Sequence, residues 1–594
     1  MTDWQPATGQ LMTRWAAEVT PENTWQMYPR PQLVRPKWQN LNGLWDYAIA
    51  PVEMEMVHEF SGKILVPFPI ESALSGVKRA LLPDERLWYR QRFIIPDEWG
   101  GQRVLLHIGA SDWQTSAWLN GQPLGMHQGG YLPFQFELSP WLHAGENELL
   151  IAVWDPTDTH WQARGKQVLK PRSIWYTAVS GIWQTVWLEA VPETYLAGLK
   201  ITPELDSGSV LVQARLDGPQ AGRLPVRVTA LAQGMPIASG EAAGGEVLRL
   251  AIPEPHPWSP DDPYLYDLIV EAGSDRVESY FGMRKFSLGK DAQGRMRLCL
   301  NNQPLFQYGP LDQGYWPDGL YTPPSEAAMR FDLERIKALG CNMLRKHVKV
   351  EPARYYYDCD RLGLIMWQDM PSGAKEVGEL PSVLINLFGA RRKDHNYRRA
   401  GRSTPESRQD FRRELQELVD HLHNFACIGM WVPFNEGWGQ FDAKEAAEWL
   451  AEYDPTRPVD HASGWYDQGC GDCKSLHVYF KALPVIKPEM KRAMVLSEFG
   501  GYTLKLEGHL WNPQAEFGYR KLATREALTE AYLELLEKQL KPWVEAGLSA
   551  AIYTQTTDVE IELNGYLTYD RAVEKMDFER VREVHEGLFM NGED

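Results

Sequence analysis

Residues 431–438 read Trp431-Val-Pro-Phe-Asn-Glu436-Gly-Trp438, and residues 494–501 read Met494-Val-Leu-Ser-Glu498-Phe-Gly-Gly501. Each is a short apolar run that ends abruptly in polar residues and a carboxylate. That is the pattern of a buried parallel strand delivering a side chain to an open mouth. Working outward, candidate strands fall at 304–309, 341–347, 364–369, 428–434, 458–463, 475–480, 493–498 and 549–555. Helical segments separate most of them. Ser325 is placed to cap one that stops at Gly340, and Pro352 opens another that stops near Gly363. The 525–546 segment, rich in Glu, Leu, Ala and Lys, is the longest helix expected. Eight strands alternating with helices predict a (β/α)8 TIM barrel over 291–594, with its working face at the C-terminal strand ends. An open doubly wound sheet is the alternative. In the barrel, Glu436 follows the fourth strand and Glu498 ends the seventh.

The 594-residue chain is too long for one domain, and its first half has a different texture. Residues 1–192 show short alternating runs, such as Leu87-Trp-Tyr-Arg-Gln-Arg-Phe-Ile-Ile95, punctuated by turns such as Asn120-Gly121. They predict hairpins packed in a β-sandwich. Residues 193–290 continue in strands without a cysteine pair and predict an immunoglobulin-like β-sandwich lacking its disulfide.

A formal net charge of -18 excludes a general nucleic-acid binder, which needs a basic face. No apolar stretch approaches the length of a membrane span, and the opening Met1-Thr-Asp-Trp-Gln-Pro lacks a basic segment followed by an apolar core. All six cysteines lie after residue 298, unlike a secreted disulfide framework, and a cytoplasmic location is expected. Cys470 and Cys473 form a C-x-x-C with no second pair at zinc spacing, so no metal and no cofactor are expected. The 24 Trp and 25 Tyr suit stacking on sugar rings, and equally the filling of large sandwich cores.

Two carboxylates converging from the fourth and seventh strands are what cleavage of a glycosidic bond requires, one as proton donor and one as nucleophile or base. Their separation decides between the two: about 5–5.5 Å retains anomeric configuration, and about 6.5–9.5 Å inverts it. Trp431, Phe434 and Trp438 offer Glu436 the apolar surroundings that favour a proton-holding carboxyl.

The chain resembles glycoside hydrolase family 2 along most of its length. The resemblance rests on Leu41-Asn-Gly-Leu-Trp-Asp-Tyr47, Trp118-Leu-Asn-Gly121, Ser180-Gly-Ile-Trp183, Asn302-Gln-Pro-Leu-Phe306, Leu339-Gly-Cys-Asn-Met-Leu-Arg345, Asn435-Glu436 and Ser497-Glu498-Phe-Gly-Gly501. It implies that the 1–192 sandwich is a jelly roll, followed by an immunoglobulin-like domain and a catalytic barrel. It also implies a retaining exo-β-glycosidase in which Glu498 is the nucleophile and Glu436 the acid/base. It further implies that Asn435 bonds the sugar 2-hydroxyl and that Tyr479 steadies the nucleophile. Arg345 and His347 would lie under the sugar, although Arg345-Lys-His347 departs by one residue from the family's usual spacing. His477 is either a second inward residue on the sixth strand or a core histidine. Asp369, ending the third strand, either holds a sugar hydroxyl or pairs with a lysine. Trp438 completes the expected substrate contacts.

The sugar is left open between two classes. Where the family's glucuronidases carry an Asn-x-Lys motif this chain reads Glu562-Leu-Asn564-Gly565, preceded by Asp558 and Glu560, and these acidic groups favour a neutral sugar and a β-galactosidase-like enzyme. The basic run Arg391-Arg-Lys-Asp-His-Asn-Tyr-Arg-Arg-Ala-Gly-Arg402 favours a β-glucuronidase or β-galacturonidase if it contacts substrate. It reads equally as solvated surface or as a contact within a homo-oligomer. A non-catalytic carbohydrate-binding protein is the third reading. The expected partner is thus a glycoside or oligosaccharide, with neither nucleic acid nor membrane.

Overall fold

The computed structural model describes residues 4–375, 393–479, 483 and 490–589. The chain begins with two antiparallel sandwiches. In the first, a four-stranded sheet (Trp38–Asn40, Val186–Val191, Arg103–Ile108, Phe134–Glu137) faces a six-stranded one centred on Glu85–Ile94 and Glu146–Trp154. Its core holds the alternating inward residues Trp45, Leu87, Tyr89, Leu106, Ile108 and Ile151, the period-2 burial expected of paired sheets. In the second, Tyr195–Glu204, Ser209–Asp217 and Val247–Ala251 pack on the sheet formed by Met235–Ala243, Pro225–Ala232, Tyr266–Ala272 and Asp275–Phe281.

The barrel follows. Seven parallel strands pair in the order fourth, third, second, first, eighth, seventh, sixth: Ile428–Val432, Ile365–Asp369, Met343–Lys346, Gln307–Asp312, Ala550–Tyr553, Ala493–Phe499 and Cys473–Val478. The fifth position is taken by 458–463, which is not a continuous strand. It holds to the fourth through two isolated parallel bridges, Trp431 to Val459 and Asn435 to Ser463. The first strand begins at Gln307, three residues later than its sequence pattern suggests, because Gln303 and Pro304 pair in a small sheet with Met296–Leu300.

Local signals account for the helices. Ser325 Oγ accepts the Ala328 N–H at 3.2 Å and starts Glu326–Ala338. Gly363 ends Ala353–Leu362 with φ 68°, and a side chain there would meet the Pro260 carbonyl of the second sandwich at 2.4 Å. The 525–546 expectation is met in pieces: Arg525–Leu535, a π turn over Leu536–Leu540, then Lys541–Glu545. Pro542 lacks the N–H that a continuous ladder needs, so the register is taken up by the wider turn just before it. Pro405–Leu422, at 18 residues, is the longer helix.

Fully buried Trp367 and Trp431 anchor the barrel interior, with indole N–H groups donating to Gln307 Oε1 (2.6 Å) and Asp454 Oδ2 (2.9 Å). Each removes about 200 Å² from water. The six cysteines are free thiols. No helix among the described residues is long and apolar enough to cross a membrane.

The first sandwich is bonded directly onto the mouth of the barrel. Arg164 and Gly373 form an antiparallel bridge, Tyr176 Oη donates to Glu562, and the Thr177 N–H donates to Glu560 at 2.7 Å. Residues 164–177 therefore lie over the C-terminal strand ends.

Candidate active site

The second strand sets the base of the site. Side chains alternate along a strand, so Arg345 and His347 share one face and Lys346 takes the other. Lys346 bonds Asp312 Oδ2 (2.6 Å) and Glu351 Oε1 (2.8 Å), away from the carboxylate pair. Arg345, fully buried, spreads its fork over three side chains. Nε and Nη2 hold both oxygens of Asp369 at 3.0 and 2.9 Å, Nη2 also reaches Asn435 Oδ1 at 2.7 Å, and Nη1 reaches Glu498 Oε1 at 3.1 Å. A rigid planar donor making charge-assisted bonds in several directions fixes its neighbours relative to one another.

Asp369 pairs with this arginine rather than with a lysine, and its Oδ2 also contacts His347 Nδ1 at 3.0 Å. Burial, aided by the Lys166 charge, pushes the His347 imidazolium well below its usual range. His347 is thus neutral, donates through Nδ1–H to Asp369, and keeps Nε2 as an acceptor.

Asn435 has its amide oriented by chemistry alone. Arg345 can only donate, so Oδ1 must face it and Nδ2 must face away. That Nδ2 is buried without a hydrogen-bond partner, an arrangement that costs about 1–3 kcal/mol until an acceptor arrives.

Glu436 sits one residue further on, at φ 50°. A side-chain-bearing residue in the left-handed region stores about 1–3 kcal/mol, held here by surrounding bonds. The Glu436 N–H donates to Ser463 O at 3.0 Å, and the Ser463 N–H donates to Phe434 O at 2.9 Å. The incomplete fifth strand thus serves as the clamp for the turn that carries Glu436.

Glu498 arrives on the seventh strand, all of whose residues are buried. Its Oε2 accepts the Tyr479 hydroxyl, and its Oε1 accepts from Arg345. The Tyr479 hydroxyl also lies 3.3 Å from Glu436 Oε1, and His477 Nδ1 lies 2.9 Å from that same oxygen. His477 Nε2 meets Ser463 Oγ at 3.0 Å. One oxygen of each glutamate and a His477 nitrogen fall within 4.8 Å of one another. Burial alone would raise the Glu498 carboxyl, but the His477 and Arg345 charges outweigh it and hold it at about 2. Glu498 is a carboxylate at neutral pH.

Trp438 stands at the rim, with its ring 4.6 Å from that of Trp175 and 5.9 Å from that of His347. Tyr519 stacks on Tyr479 at 4.2 Å and 8°. The seven residues expected from sequence therefore gather at one mouth, together with Arg345 and His477. Lys166, Trp175, Tyr176 and Tyr519 join them without any signal in the sequence. Three of those come from the first sandwich, where no local motif distinguishes a mouth residue from a core one.

Two sequence expectations about the sugar are changed. The acidic strand-eight residues are occupied within the protein. Asp558 pairs with Lys575 (2.6 Å), Glu560 accepts from Thr177, and Glu562 accepts from Tyr176 and from Asn564 Nδ2 (3.0 Å). In the basic run, Arg391 and Arg392 lie outside the described residues, but Arg402 is fully buried and donates to the carbonyls of Ser372 (2.9 Å), Gly373 (3.0 Å) and Ser407 (3.3 Å). Asp394 accepts the Ala443 N–H, which starts the helix Ala443–Tyr453. Asp394 and Arg402 thus serve the loop's own architecture, while Lys393, Arg398 and Arg399 are exposed.

Three models of one family cover most of the chain: Glycosyl hydrolases family 2, sugar binding domain, over 38–192; the family 2 domain over 194–284; and its TIM barrel domain over 324–584. A β-galactosidase of Klebsiella pneumoniae is 26% identical over 417 residues, which is 65% of this chain and 36% of that protein. A β-galactosidase of Thermoanaerobacter pseudethanolicus is 24% identical over 396 residues, 63% of this chain and 48% of that protein. The chain thus spans about a third to a half of the length of these curated relatives. A solved β-glucuronidase of Ruminococcus gnavus superposes with a TM-score of 0.74 at 16% identity, covering 96% of this chain and all of that one, a likeness of fold. The chain belongs to glycosyl hydrolase family 2.

Proposed function

We propose that this family 2 member is a retaining exo-β-glycosidase that releases a terminal β-linked sugar by double displacement. The observation that carries the reading is the closeness of the two glutamates, whose nearest oxygens lie within 4.8 Å of one another. That closeness suits direct attack by one carboxylate while the other serves as acid and base, as in retaining enzymes, rather than the wider separation of inverting ones. Glu498, ionised and held by Arg345 and Tyr479, attacks the anomeric carbon. Glu436 gives its proton to the departing glycosidic oxygen, so the C1–O bond breaks as the C1–Glu498 bond forms. Glu436, now a carboxylate, takes a proton from water, whose oxygen displaces Glu498 and returns the anomeric centre to its original configuration.

The Asn435 amide supplies a donor for the sugar 2-hydroxyl, and its unsatisfied Nδ2 gains a partner only when substrate binds. A non-catalytic carbohydrate-binding role would need neither an ionised buried carboxylate nor a second one beside it. The relatives' names support a β-galactosidase-like activity, while the occupied acidic residues at strand eight withdraw the main objection to an acidic sugar. Incubation with a 2-deoxy-2-fluoro glycoside followed by mass spectrometry of peptides tests the reading. The label is expected on Glu498, and labelling elsewhere would refute the assignment.

A further inference from the structure

We propose that Lys166 is a specificity-determining residue that pairs with an anionic group on the substrate, foremost the carboxylate of a terminal uronic acid. The proposal rests on the retaining-glycosidase reading and deepens it.

Four lysines are buried among the described residues: Lys166, Lys346, Lys349 and Lys575. Lys346 bonds Asp312 and Glu351, Lys349 bonds Glu351, and Lys575 bonds Asp558. Lys166, only 5% exposed, has no carboxylate and no hydrogen-bond acceptor at its ammonium group among the described residues. An ammonium removed from water without a counterion is costly, which is why buried lysines are ordinarily paired. Its neighbours are two aromatic rings, Tyr176 and Trp438, each 5.4 Å from Nζ. Cation–π contact with these rings offsets only part of that cost.

The position is rigid and faces the reaction centre. Just before Lys166, the Arg164–Gly373 bridge ties the strand to the barrel. A Cβ at Gly165 would lie 2.6 Å from both Tyr321 Oη and Val348 O, so the backbone is pressed against the barrel mouth. Trp438, under the ammonium, abuts the ring of His347. The Lys166 charge is felt at both Glu498 and His347, lowering each. Glu562, bonded to the same Tyr176 that the ammonium faces, is already engaged by Tyr176 and Asn564. An uncompensated cation beside the nucleophile, in a wall built for a sugar, is therefore complementary to a negative charge carried by that sugar. A hexuronate carboxylate and a sulfate ester on the terminal sugar present the same anionic oxygens.

The test compares wild type with Lys166→Met and Lys166→Arg on 4-nitrophenyl β-D-glucuronide, β-D-galacturonide, β-D-galactoside and its 6-sulfate, with free glucuronate, galacturonate and galactose as competitive inhibitors of the wild type. Anionic glycosides are expected to be preferred. Lys166→Met should lower the ratio of kcat/KM on the anionic over the neutral substrate by about 30-fold or more, and Lys166→Arg should restore part of it. Preference for the uronides assigns the carboxylate, preference for the sulfate assigns the ester, and either supports the proposal. A wild type that prefers the neutral galactoside and binds galactose more tightly than either uronate would overturn it, even if the Met variant does not fold. An equal loss on neutral and anionic substrates would reduce Lys166 to a support for Trp438. Absence of both turnover and fluorosugar labelling would instead remove the glycosidase reading beneath it.

Discussion

The Tyr479 hydroxyl donates to Glu498 and lies 3.3 Å from Glu436, so one group touches both members of the carboxylate pair. It cannot give its hydrogen to both, and Glu498 holds it in the resting enzyme. In the proposed double displacement Glu498 becomes an ester whose acceptor strength is lower, which frees the hydroxyl to turn toward Glu436 as that residue loses its proton. Tyr479→Phe should therefore slow both steps, by about 10²–10³-fold in kcat, the scale of losing one preorganised donor at a reacting group. Pre-steady-state kinetics would read it, and a loss confined to KM would contradict this role.

Glu498→Ala should abolish turnover by roughly 10⁴-fold or more. Glu436→Ala should lose about 10²–10⁴-fold on substrates with poor leaving groups and far less on activated ones. Added azide should accelerate the Glu436 variant and yield a β-glycosyl azide, because a small anion needs no general base. An α-azide from that variant would reverse the assignment of the two glutamates.

The acid side of the pH profile depends on Arg345. In the folded protein Glu498 is held at about 2, below its unfolded value, by the His477 and Arg345 charges against burial. Ionised Glu498 therefore contributes stability that is fully present above its unfolded pKa and is lost as pH falls toward 2. Removing one of those charges with Arg345→Met should raise the carboxyl and move the acidic limb of kcat/KM upward by about 1 pH unit or more. An unmoved limb in an active variant would show that Arg345 does not set it.

Arg402 gives the opposite kind of prediction. Its guanidinium donates to the backbone carbonyls of Ser372, Gly373, Ser407 and Gly439 and is fully buried, so Arg402→Met removes a buried donor from all four. The expected cost is on the order of 3 kcal/mol, read as a lower thermal unfolding temperature, with the ratio of activity on anionic and neutral glycosides unaltered. A changed ratio would return the basic run to the substrate.

The barrel and its two carboxylates were legible because strand-end glutamates and alternating strand–helix texture are local signals. Arg345, Asn435 and Tyr479 were placed by motif resemblance, and the structure supplies the bonds that link them. The acidic and basic segments misled because charge in a sequence does not reveal its partner. Glu562 is answered by Tyr176, 386 residues away, and Arg402 by backbone carbonyls. Lys166 was illegible for the same reason: its importance lies in having no partner, which only the assembled mouth reveals.

The stereochemistry of the first-formed product tests the central claim most directly. Proton NMR of the anomeric signals during the first minutes of hydrolysis, on whichever β-glycoside is turned over, should show the β-anomer first and the α-anomer only after mutarotation. An α-anomer appearing first would require a water between Glu436 and Glu498, and would contradict the double displacement inferred from their spacing.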